Sequence, residues 1–202
     1  MKILVPLVLL CCVIPGCRKS ESEPEEPAAW IEEFKNRKIY EKLTVEILQD
    51  IPDEKLEQAI VDYILTKIND KYDNESRVVR GLSTGLRAVY TTWIVEGEVN
   101  NGGFNQYFWN TRGVFADDAV AGFKLFGANA HADLMRRAIA IRKEEAAKMA
   151  KFRERGTLEA FSESYEHTKL SKLDDEYYDL TDNLGQLRIR FIRQHPEMFV
   201  GD

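Results

Sequence analysis

Residues 98–110 read EVNNGGFNQYFWN. Gly102 and Gly103 interrupt helical packing and permit backbone angles closed to other residues. An Asn100 or Asn101 side chain suits the capping of free backbone groups. After the glycines a helical turn resumes: Phe104, Tyr107 and Phe108 stand at i, i+3 and i+4 and share a face, while Asn105, Gln106 and Trp109 fall elsewhere. Two roles fit such a run. One is a sharp corner between helices, plugged by aromatics, with side-chain amides tying down loose backbone groups. The other is a recognition surface made of Asn100, Asn101, Gly102, Gly103, Asn105, Gln106, Tyr107 and Trp109. Amides donate and accept at once, and tyrosine and tryptophan anchor interfaces.

The flanking sequence reads mostly as helices, with KYDNES, residues 71–76, as a loop. Trp30 to Leu48 places Trp30, Ile31, Phe34, Ile39, Leu43 and Ile47 as the apolar positions of one or two irregular helices. Pro52, Asp53 and Glu54 suit a helix start, after which Leu56, Ile60, Tyr63, Ile64 and Ile68 fall on one face. A helix is predicted from about Arg77 to Glu96, with Leu82, Leu86, Val89, Tyr90 and Trp93 as its stripe. Beyond the glycine-asparagine run, VFADDAVAGFKLFG is a short helix with Phe115, Ala119, Phe123 and Phe126 inward. A single longer helix is expected from about Ala130 to Arg155, closed by Gly156. Two more follow near 157–169 and 171–180, and a last one carries Leu184, Leu187, Phe191 and Ile192 and ends at Pro196. No run shows sustained strand alternation. The expectation is an all-α fold, one multi-helix domain over residues 30–202.

The N-terminus is a separate object. MKILVPLVLLCCVIPG, residues 1–16, has a basic start and an apolar run from Ile3 to Ile14. That run is too short to span a bilayer and reads as a secretion signal. Its end, VIPGC, resembles the bacterial lipoprotein processing box, which implies cleavage before Cys17 and lipidation of that cysteine. Residues 17–29 would then be a lipid-bearing tether. Glu21, Glu23, Glu25 and Glu26 with two prolines and no large apolar side chain cannot offset the entropy of ordering. The expected location is the bacterial envelope, with membrane attachment through the lipid and the domain facing the periplasm or exterior. All three cysteines lie at 11, 12 and 17, so the body has no disulfide and no thiolate nucleophile.

The segment EGEVNNGGFNQYFWN closely resembles the signature of the DNA-mimic protein family. The resemblance continues through ADDAVAGFKLFGANAHADLMRRAI and returns at LDDEYYDL and IRFIRQHPEMF, covering roughly Ala59 to Phe199. It implies an all-helical protein whose acidic surface imitates duplex DNA and competes with DNA for a transcription factor. Such a mimic needs concentrated carboxylates. The acids that form a candidate face here are Asp53, Glu54, Glu57 and Asp62, and Asp174, Asp175, Glu176 and Asp179. Charge is uneven along the chain: residues 76–156 hold 13 basic and 8 acidic side chains, against a net charge of -6 for the whole. Direct nucleic-acid binding is therefore not expected.

Catalysis has little to build on. His131, His167 and His195 belong to no short ligand pattern, so no metal is expected. GLSTG, residues 81–85, lacks the strand-turn-helix setting of a nucleophilic serine, and no phosphate-binding glycine loop is present. Glu96 and Glu98 point to different sides of a helix. The sequence is that of a binding domain rather than an enzyme, with no cofactor implied. Its expected role is a membrane-tethered protein-binding or adaptor domain of unnamed protein partner. The alternative is an acidic decoy for a DNA-binding protein.

Overall fold

Short polar side chains fix where several helices begin. Thr44, Ser83, Thr157 and Asn183 each accept a hydrogen bond from the backbone N–H three residues on, meeting a donor that the helix itself leaves free. The structure is a computed structural model that describes residues 29–201. The predicted signal segment, Cys17 and residues 18–28 of the predicted tether lie outside the described residues. In chain order the helices are α1 (Ala29–Lys35), α2 (Val45–Asp50), α3 (Asp53–Leu65), α4 (Glu75–Gly81), α5 (Thr84–Thr111), α6 (Ala116–Leu125), α7 (Asn129–Glu144), α8 (Ala146–Arg155), α9 (Leu158–Glu166), α10 (Ser171–Tyr178) and α11 (Leu184–Gln194). A 3-10 turn follows at Pro196–Phe199.

The core is two adjoining clusters threaded by α5. Its first half packs with α3 and the chain's end, through Leu56, Ile60, Ile64, Val89, Ile192 and Phe199. Its second half packs with α6, α7 and α10, through Val99, Phe104, Tyr107, Phe123, Met135 and Leu173. The predicted inward faces of α3 and α6 are buried as expected. Close approach of α6 to α5 rests on Gly122, where a side chain would strike Ala88 and Thr92.

The two ends of the described chain are joined. Leu43 and Gly201 exchange N–H···O bonds of 2.9 and 3.0 Å, an isolated antiparallel bridge. Ser83 Oγ donates to the Met198 carbonyl at 2.7 Å. Arg193 on α11 donates to the carbonyls of Leu48 and Ile51 and pairs with Asp53.

Four expectations need correction. The helix predicted from Arg77 to Glu96 is divided at Leu82–Ser83, because the Ser83 hydroxyl caps a new start. The helix that starts there passes the expected end near Glu96 and reaches Gly102 and Gly103, whose non-helical angles break it at a kink before a second helical stretch runs to Thr111, so the predicted interruption at the glycines is present. The span from Ala130 to Arg155 is two helices. Glu145 breaks it, turning its buried carboxylate inward to the Lys169 N–H at 3.1 Å and the Thr168 hydroxyl at 2.7 Å. The basic residues 136–155 therefore do not share one helix. Finally, Phe34 and Ile39 are exposed rather than inward, and α1 starts at Ala29, inside the predicted tether.

Candidate functional site

The glycine pair is a non-helical kink that divides α5 into two helical halves. Gly102 has φ −169° and ψ 30°, and Gly103 has φ +72° and ψ −179°, a combination essentially reserved for glycine. The N–H of Phe104 opens the second half of the helix and has no helical acceptor. Neither Asn100 nor Asn101 caps it; both are exposed. Asp174 of α10 does so, accepting that N–H at 2.8 Å.

Two tyrosines complete the attachment. Tyr165 of α9 donates to the Gly102 carbonyl at 2.8 Å, and Tyr178 of α10 donates to the Val99 carbonyl at 2.7 Å. On the far side of the bend, Glu98 accepts from the side-chain amides of Gln106 and Asn110, both at 2.8 Å, and so bridges the two helix halves. Asn105 donates to the Ser164 hydroxyl at 2.8 Å, which in turn donates to the Phe161 carbonyl. The run is thus a built corner, held from residues 60 to 80 positions away.

Its electrostatics are those of crowded carboxylates. Burial pushes the Asp174 carboxyl up, the Phe104 N–H pulls it back, and the charge of Asp175 raises it again. The Tyr165 phenol is pushed up to about 12 by burial and by the nearby Asp174 and Glu98 charges. None of the ion pairs formed by the described residues includes Glu98, Asp174, Asp175 or Asp179.

The sequence candidates divide clearly. Asn100, Asn101 and, in part, Gly102, Gln106 and Trp109 reach the surface. Gly103, Asn105 and Tyr107 are buried, and so cannot line a recognition surface; Tyr107 shares the core face of Phe104 and Phe108, as its spacing requires. Trp109 packs against Phe161 at 5.1 Å and beneath Arg153 at 5.3 Å.

The acidic candidates likewise split. Asp62 is buried and held by Arg37 at 2.6 Å, Glu57 is consumed by the buried Arg188, and Asp53 is paired with Arg193. Glu176 pairs with Arg137 at 2.5 Å. The first group therefore does not present a continuous acidic face; only Glu54 of it stands exposed in no ion pair. From the second group Asp175 and Asp179 are exposed. They lie one helical turn apart, and Tyr178, 56% exposed, stands beside them.

The tying roles of Tyr165 and Tyr178 escaped the sequence reading; nothing local marks them, because their partners lie across the fold. In sequence Glu98 reads only as an acid pointing away from Glu96, although its amide partners stand within the same run.

Among the described residues no group of three or more His, Cys, Asp or Glu side chains could hold a metal ion. His131 lies against Phe123 and Tyr177, His167 on Phe152, and His195 on Phe191. Glu96 turns to Arg188 while Glu98 turns to the amides. No helix among the described residues is long and apolar enough to cross a membrane.

A family model described as DMP19-like protein matches residues 80–195, a span that contains the bend, both tyrosines and all of α10. No curated protein and no solved structure matches the chain.

Proposed function

Since the chain belongs to the DMP19-like protein family, we propose that it is a non-catalytic protein-binding domain whose acidic face at the α5 bend takes a basic protein surface. One observation carries this. The helix bearing Asp174 and Asp175 and capped by Asp179 is bolted to the signature bend, and their carboxylates, with Glu98, have no cation partner among the described residues. Exposed Asn100, Asn101 and Tyr178 adjoin them, adding groups that donate, accept and stack. A surface of uncompensated carboxylates attracts arginine and lysine side chains of the kind that otherwise contact phosphates. A DNA-binding protein is the partner this chemistry fits, and the domain then acts as a decoy for DNA.

The test uses proteins that bind DNA-cellulose, offered to the immobilised domain. Retention should be lost when duplex DNA is added in excess, and lost in the Asp175→Lys/Asp179→Lys variant, since like charges across an interface cost several kcal/mol. Equal retention by the variant, or indifference to DNA, would overturn the proposal.

A second reading concerns where the partner is met. The sequence of residues 1–17 favours export and lipid attachment at Cys17. Tethered there, the same acidic face would meet a basic envelope protein instead of a transcription factor. The mass of the mature N-terminus decides: a diacylated chain beginning at Cys17 supports the tethered form, and an unmodified chain beginning at Met1 refutes it.

A further inference from the structure

The second half of α5 ends in a region of opposite charge. Arg112 closes the helix with φ +57°. Arg142 of α7 donates to the Arg112 carbonyl at 2.6 Å and lies over the Phe108 ring at 5.4 Å. Arg153 of α8 donates to the Phe108 carbonyl at 2.9 Å and lies over Trp109.

Two of these contacts are ordinary, because guanidinium groups suit the carbonyl end of a helix. They leave most of each fork unused, since arginine carries five N–H donors. None of the three arginines joins an ion pair among the described residues. The Nε of Arg153 is buried with no hydrogen-bond partner. Burial lowers the proton affinity of Arg153, and the charges that lower it further are Arg112 and Arg142.

Beside these groups opens a cleft of about 390 Å³, walled by Phe108, Trp109, Ala146, Met149 and Leu170, with Arg142 and Arg153 at one side. Its two acids do not neutralise them. Glu145 is turned to Thr168, the Lys169 N–H and Lys148. Glu154 is exposed and forms no ion pair. The volume is that of a small-molecule site, and such sites combine apolar walls with a few placed polar groups.

We propose that this cleft binds a small amphipathic anion: its carboxylate or phosphate lies on Arg142 and Arg153, and its apolar body lies on Trp109 and Met149. Uncompensated guanidinium forks recognise planar or tetrahedral oxyanions with two bonds at once. Trp109, which lies beneath Arg153, supplies an aromatic wall of the cleft. This site is independent of the acidic face and would survive its failure, since the two share no side chain.

The experiment titrates the full chain with benzoate, phenyl phosphate and benzyl alcohol, by calorimetry and by amide chemical shifts. Both anions should bind saturably, move the amides of Trp109 and Arg153, and weaken as salt rises. Benzyl alcohol should bind at least about tenfold more weakly. Tighter binding of phenyl phosphate identifies a phosphorylated ligand, and tighter binding of benzoate a carboxylic acid. The Arg142→Gln variant should lose about tenfold or more in anion affinity with its helical content intact. Trp109→Leu should weaken both anions and the alcohol. Equal binding of alcohol and anions, wild-type affinity in the arginine variant, or an arginine-dependent association of the protein with itself that blocks the probes would overturn the proposal.

Discussion

Gly103→Ala is the substitution on which the bend stands or falls. At φ +72° and ψ −179°, a residue with a Cβ incurs about 1–3 kcal/mol of backbone strain. The added methyl would also come within 2.6 Å of Asp174 Cγ and 2.8 Å of its Oδ1. The carboxylate must retreat, and with it goes the 2.8 Å bond from the Phe104 N–H, a charge-assisted bond of about 1.5–3 kcal/mol. The sum is roughly 3–6 kcal/mol, a large share of the ~5–15 kcal/mol that holds a typical domain. Urea unfolding followed by far-UV circular dichroism measures it; with a slope of about 2 kcal/mol/M the midpoint should fall by about 2 M. Asp174→Ala loses the bond without the strain, and the double variant loses the bond only once. The two single effects should therefore exceed the double by about 1.5–3 kcal/mol. A Gly103→Ala protein within about 1 kcal/mol of the original, or full additivity with Asp174→Ala, would refute the account of the corner.

The fold offers further checks. Arg188 is buried and holds Glu57 at 2.6 Å and Glu96 together, so Arg188→Leu leaves two partly buried carboxylates unmatched and should cost about 3 kcal/mol in thermal or urea unfolding; an effect under about 1 kcal/mol contradicts this. Burial holds the His131 imidazole below its usual range despite Asp182. The unfolded chain then takes up this proton first as pH falls. Stability contributed by the neutral ring is present above about pH 6.5 and is lost on acidification through the folded value. His131→Gln should flatten that part of the stability-pH curve, and an unchanged slope counts against it. Tyr178→Phe removes only the bond to the Val99 carbonyl and should cost about 1 kcal/mol, with amide shifts confined to residues near the bend.

Much of the architecture was legible before any coordinates. Period-3.6 apolar spacing placed α3, α6 and α11 and their inward residues, because burial of one stripe is what makes such a helix stable. Boundaries were less legible. Ser83 and Glu145 each end a periodic stretch through the polar contacts of one side chain, which leaves the apolar pattern unbroken on both sides. At the site, the sequence marked the corner and the acids of α10 but could not join them. It assigned the capping role to Asn100 or Asn101, the nearest side chains of the right chemistry, whereas the acceptor comes from Asp174, 70 positions on. It also grouped acids by their place in the chain. Pairing across the fold then removed Asp53, Glu57 and Asp62 from the surface charge, and no linear pattern records which arginine each would meet.

The bridge between Leu43 and Gly201 makes the end of the described chain a clasp on its first helices. Ties on α2, α3 and the start of α5 come from Arg188, Arg193, Met198 and Gly201. A protease cut between α11 and Gly201 would therefore loosen helices more than about 100 positions away, and their amides should lose protection from exchange together.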